Sequence, residues 1–338
     1  MANRTYHRYE GELLAVSPQQ QAVIDRSRVA MALGPEPLPD AQHLLPPIAV
    51  PTPPPTPAPG PYPFAEFVVD FAGRYPLPLE EVRDGFAPEK RAGLGFGTLW
   101  MQAKRSGAPV WERLNAYEGE EKVQALALAW ELSGILTTGT DAVQELAGYV
   151  LRASERGAPL GLQAVPREEP AEAARRAATL ITLRHKYGYS VEMRLMPQGR
   201  TFPARAVWRI AYSLGFAWGD MDLFHFTDSD TGRRLFSLST VGHPGYFLPE
   251  RAAEGEGVQG LALGFELPHN PAPLDCYDRM ALALAHFRKE LGGRPVTPEG
   301  AELDADRLWD DRDRLEEAVQ EMSRAGVAPG SPEADRVF

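Results

Sequence analysis

Two ten-residue stretches are nearly the same: residues 123–132 read VQALALAWEL, and residues 258–267 read VQGLALGFEL. Seven of the ten positions are identical, and the other three exchange alanine for glycine twice and tryptophan for phenylalanine once. The alternation of leucine with small residues is typical of a β-strand. The repetition predicts two tandem copies of one domain within the chain.

The sequence around both stretches follows the same order of predicted elements. In each copy an alternating strand, a proline-initiated helix and a hairpin precede the repeated strand, and two helices follow it. The predicted strand, helix and hairpin are 67–71, 78–86 and 99–114 in the first copy and 191–195, 203–214 and 221–241 in the second. This order predicts an α+β fold, with a mainly antiparallel sheet and helices on one face in each copy.

The remaining residues divide into an arm and a tail. Residues 1–61 are expected to be a disordered proline-rich arm, because 13 of the 30 residues from 34 to 63 are proline. Within the arm, residues 17–33 favour a short helix, with Pro18 at its first position. The predicted boundaries are 62–186 for the first copy, 187–326 for the second and 327–338 for a flexible tail.

Composition and charge exclude several classes of protein. The chain has 338 residues and a formal net charge of −11, so neither nucleic acid nor an anionic membrane surface is an expected partner. The uncharged stretch 41–65 contains ten prolines and is not expected to span a bilayer as a helix. A single cysteine, Cys276, excludes an internal disulfide. We therefore expect a soluble, cytoplasmic protein.

No motif predicts catalysis, a cofactor or a metal ion. The sequence DSDTG at 228–232 lacks the glycine and glutamate of a calcium-binding EF-hand loop, and it favours a hairpin turn instead. The sequence GLGFG at 93–97 lacks the third glycine of a dinucleotide-binding loop. Cys276 has no predicted base partner and is expected to be inert. We therefore predict that the protein is not an enzyme and binds no cofactor.

The second copy contains several motifs that resemble the ZipA family of bacterial cell-division proteins. They are LGFAWGDM at 214–221 running into LFH at 223–225, LFSL at 235–238, PGYF at 244–247, GLAL at 260–263 and ELGG at 290–293. The resemblance implies tandem split β-α-β domains, the first divergent. It also implies an open sheet face that binds the C-terminal tail peptide of FtsZ, a tubulin-like protein.

The resemblance also implies which residues bind the peptide. They are Met221 and Leu223 on the first hairpin strand, Ser239 and Val241 on the next strand with the family's basic residue at His243, and Ala262 and Gly264 on the repeated strand. The family's aromatic anchor and one of its methionines are absent at Gly264 and Val241. The family's N-terminal transmembrane helix is also expected to be missing.

Two further expectations concern the open faces. His225 is expected on the open face of the second copy, either in contact with a partner carboxylate or solvated. The corresponding open-face positions of the first copy are predicted to be Leu99, Met101, Ala127 and Ala129.

Two hypotheses of function remain open. In the first, the protein is a non-enzymatic adaptor at the division septum, and one or both copies bind the FtsZ tail. In the second, it is a structural or scaffolding protein whose two sheet faces pack on each other, and its proline-rich arm recruits a different partner. The sequence leaves the oligomeric state open.

Overall fold

The chain divides into two units. The computed structural model describes residues 5–9, 12–16, 18–34, 44–51, 58–87, 90, 94, 95, 97–103, 110–114, 122–135 and 141–338. The first unit comprises residues 53–188 and 326–338, and the second comprises residues 1–52 and 189–325. Each unit therefore combines one six-stranded sheet with a segment from the far end of the sequence.

The strands and helices are numbered in chain order. The strands are β1 (Thr5–Tyr9), β2 (Glu12–Val16), β3 (Glu66–Ala72), β4 (Leu77–Pro78), β5 (Thr98–Ala103), β6 (Val110–Arg113), β7 (Lys122–Glu131), β8 (Gln163–Pro166), β9 (Ser190–Met196), β10 (Phe202–Pro203), β11 (Ala217–Gly219), β12 (Leu223–Thr227), β13 (Arg234–Thr240), β14 (Gly257–Val258), β15 (Leu261–Glu266) and β16 (Arg294–Val296). The helices are α1 (Pro18–Leu33), α2 (Leu79–Gly85), α3 (Leu132–Ile135), α4 (Ala142–Gly157), α5 (Pro170–Tyr187), α6 (Ala204–Ser213), α7 (Pro249–Ala253), α8 (Pro273–Leu291), α9 (Ala305–Arg324) and α10 (Ala334–Val337).

The first unit is built on an antiparallel sheet in the order β6-β5-β7-β3-β8, with β4 also paired to β7. One face packs against helices: Trp130 of β7 stacks on Tyr149 of α4, with ring centres 4.9 Å apart. Asp141 caps α4 by accepting hydrogen bonds from the backbone N–H groups of Val143 and Gln144. The predicted α+β class is confirmed for this unit.

The C-terminal residues pack within the first unit. Val327, Ala334 and Val337 are buried, and the Tyr62 hydroxyl donates to a Glu333 carboxylate oxygen at 2.6 Å. Residues 327–338, predicted as a flexible tail, therefore form part of the core of this unit. The packing of this segment is difficult to predict from the sequence, because the segment is short and α10 spans a single turn.

The second unit is built on a sheet in the order β11-β12-β13-β15-β9-β16, also antiparallel throughout. Its aromatic core is centred on Trp208 of α6. The Trp208 ring lies 4.8 Å from Phe224, 5.6 Å from Trp218 and 6.2 Å from Phe247, measured between ring centres. Helix α8 packs on the same sheet and buries Tyr277, Met280 and Leu284, among others.

Part of the N-terminal arm is ordered on the second unit. Helix α1 begins at Pro18, as predicted, and buries Val29 and Leu33 where it packs against β11 and α7. Further along, Leu45 and Ile48 are buried, and Arg279 donates to the carbonyl oxygen of Pro46 at 2.9 Å. The predicted arm of residues 1–61 is thus divided between the two units. Residues 52–57 of the predicted proline-rich arm lie outside the described residues.

The hairpins of the two units connect to their sheets in different ways. In the second unit the later hairpin strand, β13, pairs with the repeated strand β15. In the first unit the earlier hairpin strand, β5, pairs with the repeated strand β7. The two sheets therefore differ in which hairpin strand pairs with the repeated strand, although the repeated strand pairs with the first strand of its copy in both sheets. The tandem origin of the two copies stays a prediction.

Two tryptophans provide a matched test of the core. Trp208→Ala is expected to lower the free energy of unfolding by ~3–5 kcal/mol, because it removes a buried ring that lies against four aromatic residues. Trp309→Ala on α9 is expected to change it by less than about 0.5 kcal/mol, since Trp309 is 65% exposed. Chemical denaturation followed by circular dichroism measures both. Equal losses in the two variants would contradict the assignment of Trp208 to the core.

Candidate peptide-binding face of the second sheet

The strand register of the second unit brings four of the predicted site residues to one face. Ser239 pairs directly with Ala262, and Ser237 pairs with Gly264. The intervening residues of these strands, such as Leu238 and Leu263, are buried on the opposite, helix-covered face. The face away from the helices is called the small-residue face, and its residues are Leu223, His225, Ser237, Ser239, Ala262 and Gly264.

Close strand packing explains the glycine in the middle of this face. A Cβ atom added at Gly264 would lie 3.0 Å from the Val191 carbonyl oxygen on β9. A side chain at this position would therefore require the two strands to shift. Beyond Gly264 the face is bordered by Glu192 and Arg194 of β9, which form an ion pair with each other. The result is a shallow centre of small residues with a charged border.

Met221 does not lie on a strand, so this part of the prediction is wrong. Strand β12 begins at Leu223, and Met221 lies in the tight turn that joins β11 to β12. Met221 and Asp222 both have left-handed backbone conformations, with φ of 58° and 56°. The Met221 side chain is 72% exposed at the edge of the sheet. A left-handed conformation is uncommon for residues other than glycine, and the sequence pattern gives no sign of it.

Val241 and His243 lie at the end of the sheet, beyond strand β13. The Val241 N–H donates to the carbonyl oxygen of Gly260 at 2.8 Å, and His243 is exposed in the following loop. Both residues line a cavity of about 140 Å³ whose other walls include Trp208, Phe247 and Val258. No sequence motif predicted this cavity, although the PGYF motif at 244–247 forms part of its wall.

His225 lies on the small-residue face but both of its ring nitrogens have partners in the chain. Nε2 lies 2.8 Å from the carbonyl oxygen of Asp220, and Nδ1 lies 2.8 Å from the Ser237 hydroxyl. Nε2 must therefore bear the proton, because a carbonyl accepts. Burial lowers the pKa of His225, which is 6% exposed. The expectation that His225 contacts a partner carboxylate or is solvated is corrected, since the ring is held within the unit.

The structure supports the ordinary interpretation of two other motifs. Asp228 closes the hairpin turn by accepting a hydrogen bond from the Thr231 N–H at 3.0 Å, and the Thr231 hydroxyl lowers the pKa of Asp228. Cys276 is buried, and this burial raises the pKa of its thiol to about 12. In the part of the chain that the structure describes, no cluster of His, Cys, Asp and Glu could hold a metal ion. No helix of the described residues is both long and apolar enough to cross a bilayer.

The corresponding face of the first unit differs from the prediction. Trp100, not Leu99 or Met101, pairs with Ala127 and shares its face. Leu99 and Met101 pair with Leu128 and Leu126 on the helix-covered side. Because side chains alternate along a strand, a shift of one residue moves each of them to the opposite face.

A tryptophan cluster occupies this face of the first unit. Val68, Trp100, Ala127 and Ala129 form a buried cluster, and Trp111 packs against it. In the aligned repeat Ala127 matches Ala262, so Trp100 occupies the place that Ser239 has in the second unit. At this paired position the first unit therefore has a tryptophan where the second has a serine.

The lowered pKa of His225 predicts a pH-dependent stability. The unfolded chain binds the His225 proton near its ordinary pKa of 6.5 and the folded chain binds it at lower pH. Its stabilising contribution is thus complete above pH 6.5 and decreases as the pH falls, by at most about 1.4 kcal/mol per pH unit. Denaturation of the wild type and His225→Gln between pH 7.5 and 5 measures the difference. The glutamine side chain keeps an N–H donor for the Asp220 carbonyl oxygen but does not titrate. If the free energies of unfolding of the two proteins changed with pH in the same way, the prediction would be contradicted.

Comparison with known proteins agrees with the order of motifs in the second unit. Residues 190–314 match the family model described as ZipA, C-terminal FtsZ-binding domain. The cell division protein ZipA of Shewanella loihica is 36% identical over 83 residues, which are 24% of this chain and 24% of the relative. ZipA of Shewanella frigidimarina is 37% identical over 82 residues, which are 24% of this chain and 23% of the relative.

A third relative, the cell division protein ZipA of Shewanella woodyi, is 34% identical over 84 residues, which are 24% of this chain and 27% of the relative. The matched segments thus span about a quarter of the length of these relatives. The resemblance of the second copy to the C-terminal domain of the ZipA family is confirmed over residues 190–314.

Proposed function

We propose that the small-residue face of the second unit binds the C-terminal tail peptide of FtsZ, and that the protein acts as an adaptor in bacterial cell division. The observation that carries the proposal is the family match over residues 190–314, which includes every strand of this face. The names of the matched relatives support a role in cell division. In this role the protein binds a partner at the division septum and catalyses no reaction.

The geometry supports a binding path across the face. Met221 projects from the turn at one edge, and Leu223 follows it at the start of β12. The small residues in the centre, Ser239 and Ala262, allow a peptide backbone or a bulky side chain to approach closely. Val241 and the exposed His243 lie at the end of the sheet. Burial of the Met221 side chain, which is largely exposed in the unbound protein, would supply apolar contact energy.

We further propose one peptide site per chain. Trp100 occupies the place in the first unit that Ser239 has in the second, and it is buried in a cluster with Ala127 and Ala129. A peptide on this face would have to displace a packed indole ring. The competing hypothesis, in which the two sheet faces pack together and the arm recruits another partner, stays a prediction.

Substitution of Met221 tests the site directly. Met221→Glu is expected to weaken binding of a labelled FtsZ C-terminal peptide at least tenfold, because it places a charge where apolar contact is needed. Leu282→Glu is the matched control: Leu282 is 49% exposed and lies on α8, on the helix-covered side of the sheet. Fluorescence anisotropy titration of the full chain gives the affinity and the stoichiometry. Equal affinity in the two variants, or absence of binding by the wild type, would refute the proposal.

A second substitution tests the role of the small central residues. Ser239→Trp is expected to abolish peptide binding, because the indole would cover the centre of the face. Trp100 is the residue at the corresponding position of the first unit, where it pairs with Ala127 as Ser239 pairs with Ala262. Ser323→Trp, at an exposed position of α9, adds the same side chain away from the face. Circular dichroism verifies that both variants fold. Retention of wild-type affinity by Ser239→Trp would place the peptide elsewhere.

A further inference from the structure

Helix α1 places Arg28 against the turn that bears Met221. The guanidinium carbon of Arg28 lies 5.1 Å from the centre of the Trp218 ring on β11. Its Nε and Nη2 atoms donate to the Glu250 carboxylate on α7 at 2.8 and 3.1 Å, and Nη1 lies 3.7 Å from Asp222 Oδ1. One side chain from the N-terminal helix thus joins β11, the turn and α7.

The position of Arg28 is fixed by its neighbours on the helix. Val29 is fully buried, and Leu33 one turn further along is also buried. Near the start of the helix, the Gln21 side-chain amide donates a hydrogen bond to the Asp25 carboxylate at 2.7 Å. Asp25 Oδ2 lies 3.6 Å from the position that a Cβ atom on Gly219 of β11 would occupy. The helix therefore contacts the edge of the sheet through apolar and polar groups on both sides of Arg28.

The turn that Arg28 contacts has a conformation that requires support. Met221 and Asp222 are consecutive non-glycine residues in the left-handed region, and such residues persist where the surroundings hold them. The Asp222 carbonyl oxygen accepts a hydrogen bond from the Phe247 N–H at 2.8 Å, while its carboxylate faces Arg28. Asp222 is therefore held through both its backbone and its side chain, and Met221 is its immediate neighbour.

The charges around the turn make Arg28 difficult to replace. Burial raises the pKa of Asp222, the positive charge of Arg28 opposes this rise, and the carboxylates of Glu250 and Asp25 add to it. The hydrogen bonds from Arg28 also lower the pKa of Glu250. Without the cation that lies within 4 Å of both, the Asp222 and Glu250 carboxylates would repel each other. This repulsion would move the turn away from α7.

We infer that Arg28 is a positioning residue for Met221, so that the N-terminal helix α1 sets the orientation of this exposed side chain for the peptide. The inference rests on the proposed function of the small-residue face. It assigns a part of the site to a segment outside residues 190–314, to which the family match is confined.

The orientation of Met221 can be measured without any peptide. We propose spectra of the full chain labelled with ¹³C at the methionine methyl groups, with Met221→Ala used to assign the Met221 signal. Arg28→Met removes the charge and keeps an apolar stem, and Arg26→Met is the matched control at an exposed position of the same helix. The Met221 signal is expected to shift or broaden in Arg28→Met and to stay unchanged in Arg26→Met. Coincident Met221 signals in all three proteins would overturn the inference.

Peptide binding then shows whether Arg28 acts through Met221. Arg28→Met is expected to weaken binding of the labelled FtsZ peptide about three- to tenfold in the wild-type background. In the Met221→Ala background the same change is expected to have no further effect, since the side chain that it positions is gone. Losses that multiply in the double variant would overturn the inference, because they would show that Arg28 acts independently of Met221.

The two proposals fail in distinguishable ways. If the wild type does not bind the peptide, the proposed function fails, and the Met221 methyl signal alone decides whether Arg28 positions Met221. If the wild type binds and Met221→Glu does not, but the signal is insensitive to Arg28→Met, the function stands and the inference fails. Thermal unfolding of each variant identifies any loss of affinity that arises from a general loss of structure.

Discussion

The two-residue period of strand β15 is the constraint on which the second unit depends. The strand lies between β13 and β9, and it turns Leu261, Leu263 and Phe265 toward the helices. The same alternation puts Ala262 and Gly264 on the other face, where a Cβ atom at Gly264 would lie 3.0 Å from the Val191 carbonyl oxygen on β9. One strand thus completes the core and sets the shape of the candidate site, and a shift of register by one residue would destroy both.

Local sequence determined which segments could be predicted. The repeated strand, the helix that begins at Pro18 and the hairpin turn at Asp228 depend on periodicity, on the fixed φ of proline and on the turn preference of aspartate. These are properties of neighbouring residues, and the structure agrees with them. The face assigned to Leu99 and Met101 is different, because it depends on which strand pairs with β7, and hairpin sequences alone do not specify that partner.

The candidate site is harder to predict because its edge is formed by contacts between distant residues. Arg28 and Glu250 are separated by 222 positions, and Asp222 receives its backbone hydrogen bond from Phe247 in another loop. These contacts surround the left-handed turn at Met221 and Asp222. Neither residue is glycine, so the sequence does not predict the left-handed conformation. His225 is similar: its place on the small-residue face follows from alternation, but its two hydrogen bonds depend on how the turn and β13 meet.

The two units have similar repeated strands but different residues on the face away from the helices. Ala127 and Ala262 are the same residue in the same strand context, yet one is covered by an indole and the other is paired with a serine. The side chain that lies beside each alanine is therefore determined by the neighbouring strand. It cannot be predicted from the repeated sequence. A repeated strand sequence keeps the requirement for a core, since leucine must still face the helices. The repeat does not determine the surface of the opposite face, because Trp100 on the strand next to β7 packs against Ala127, whereas Ser239 lies beside Ala262 on the strand next to β15.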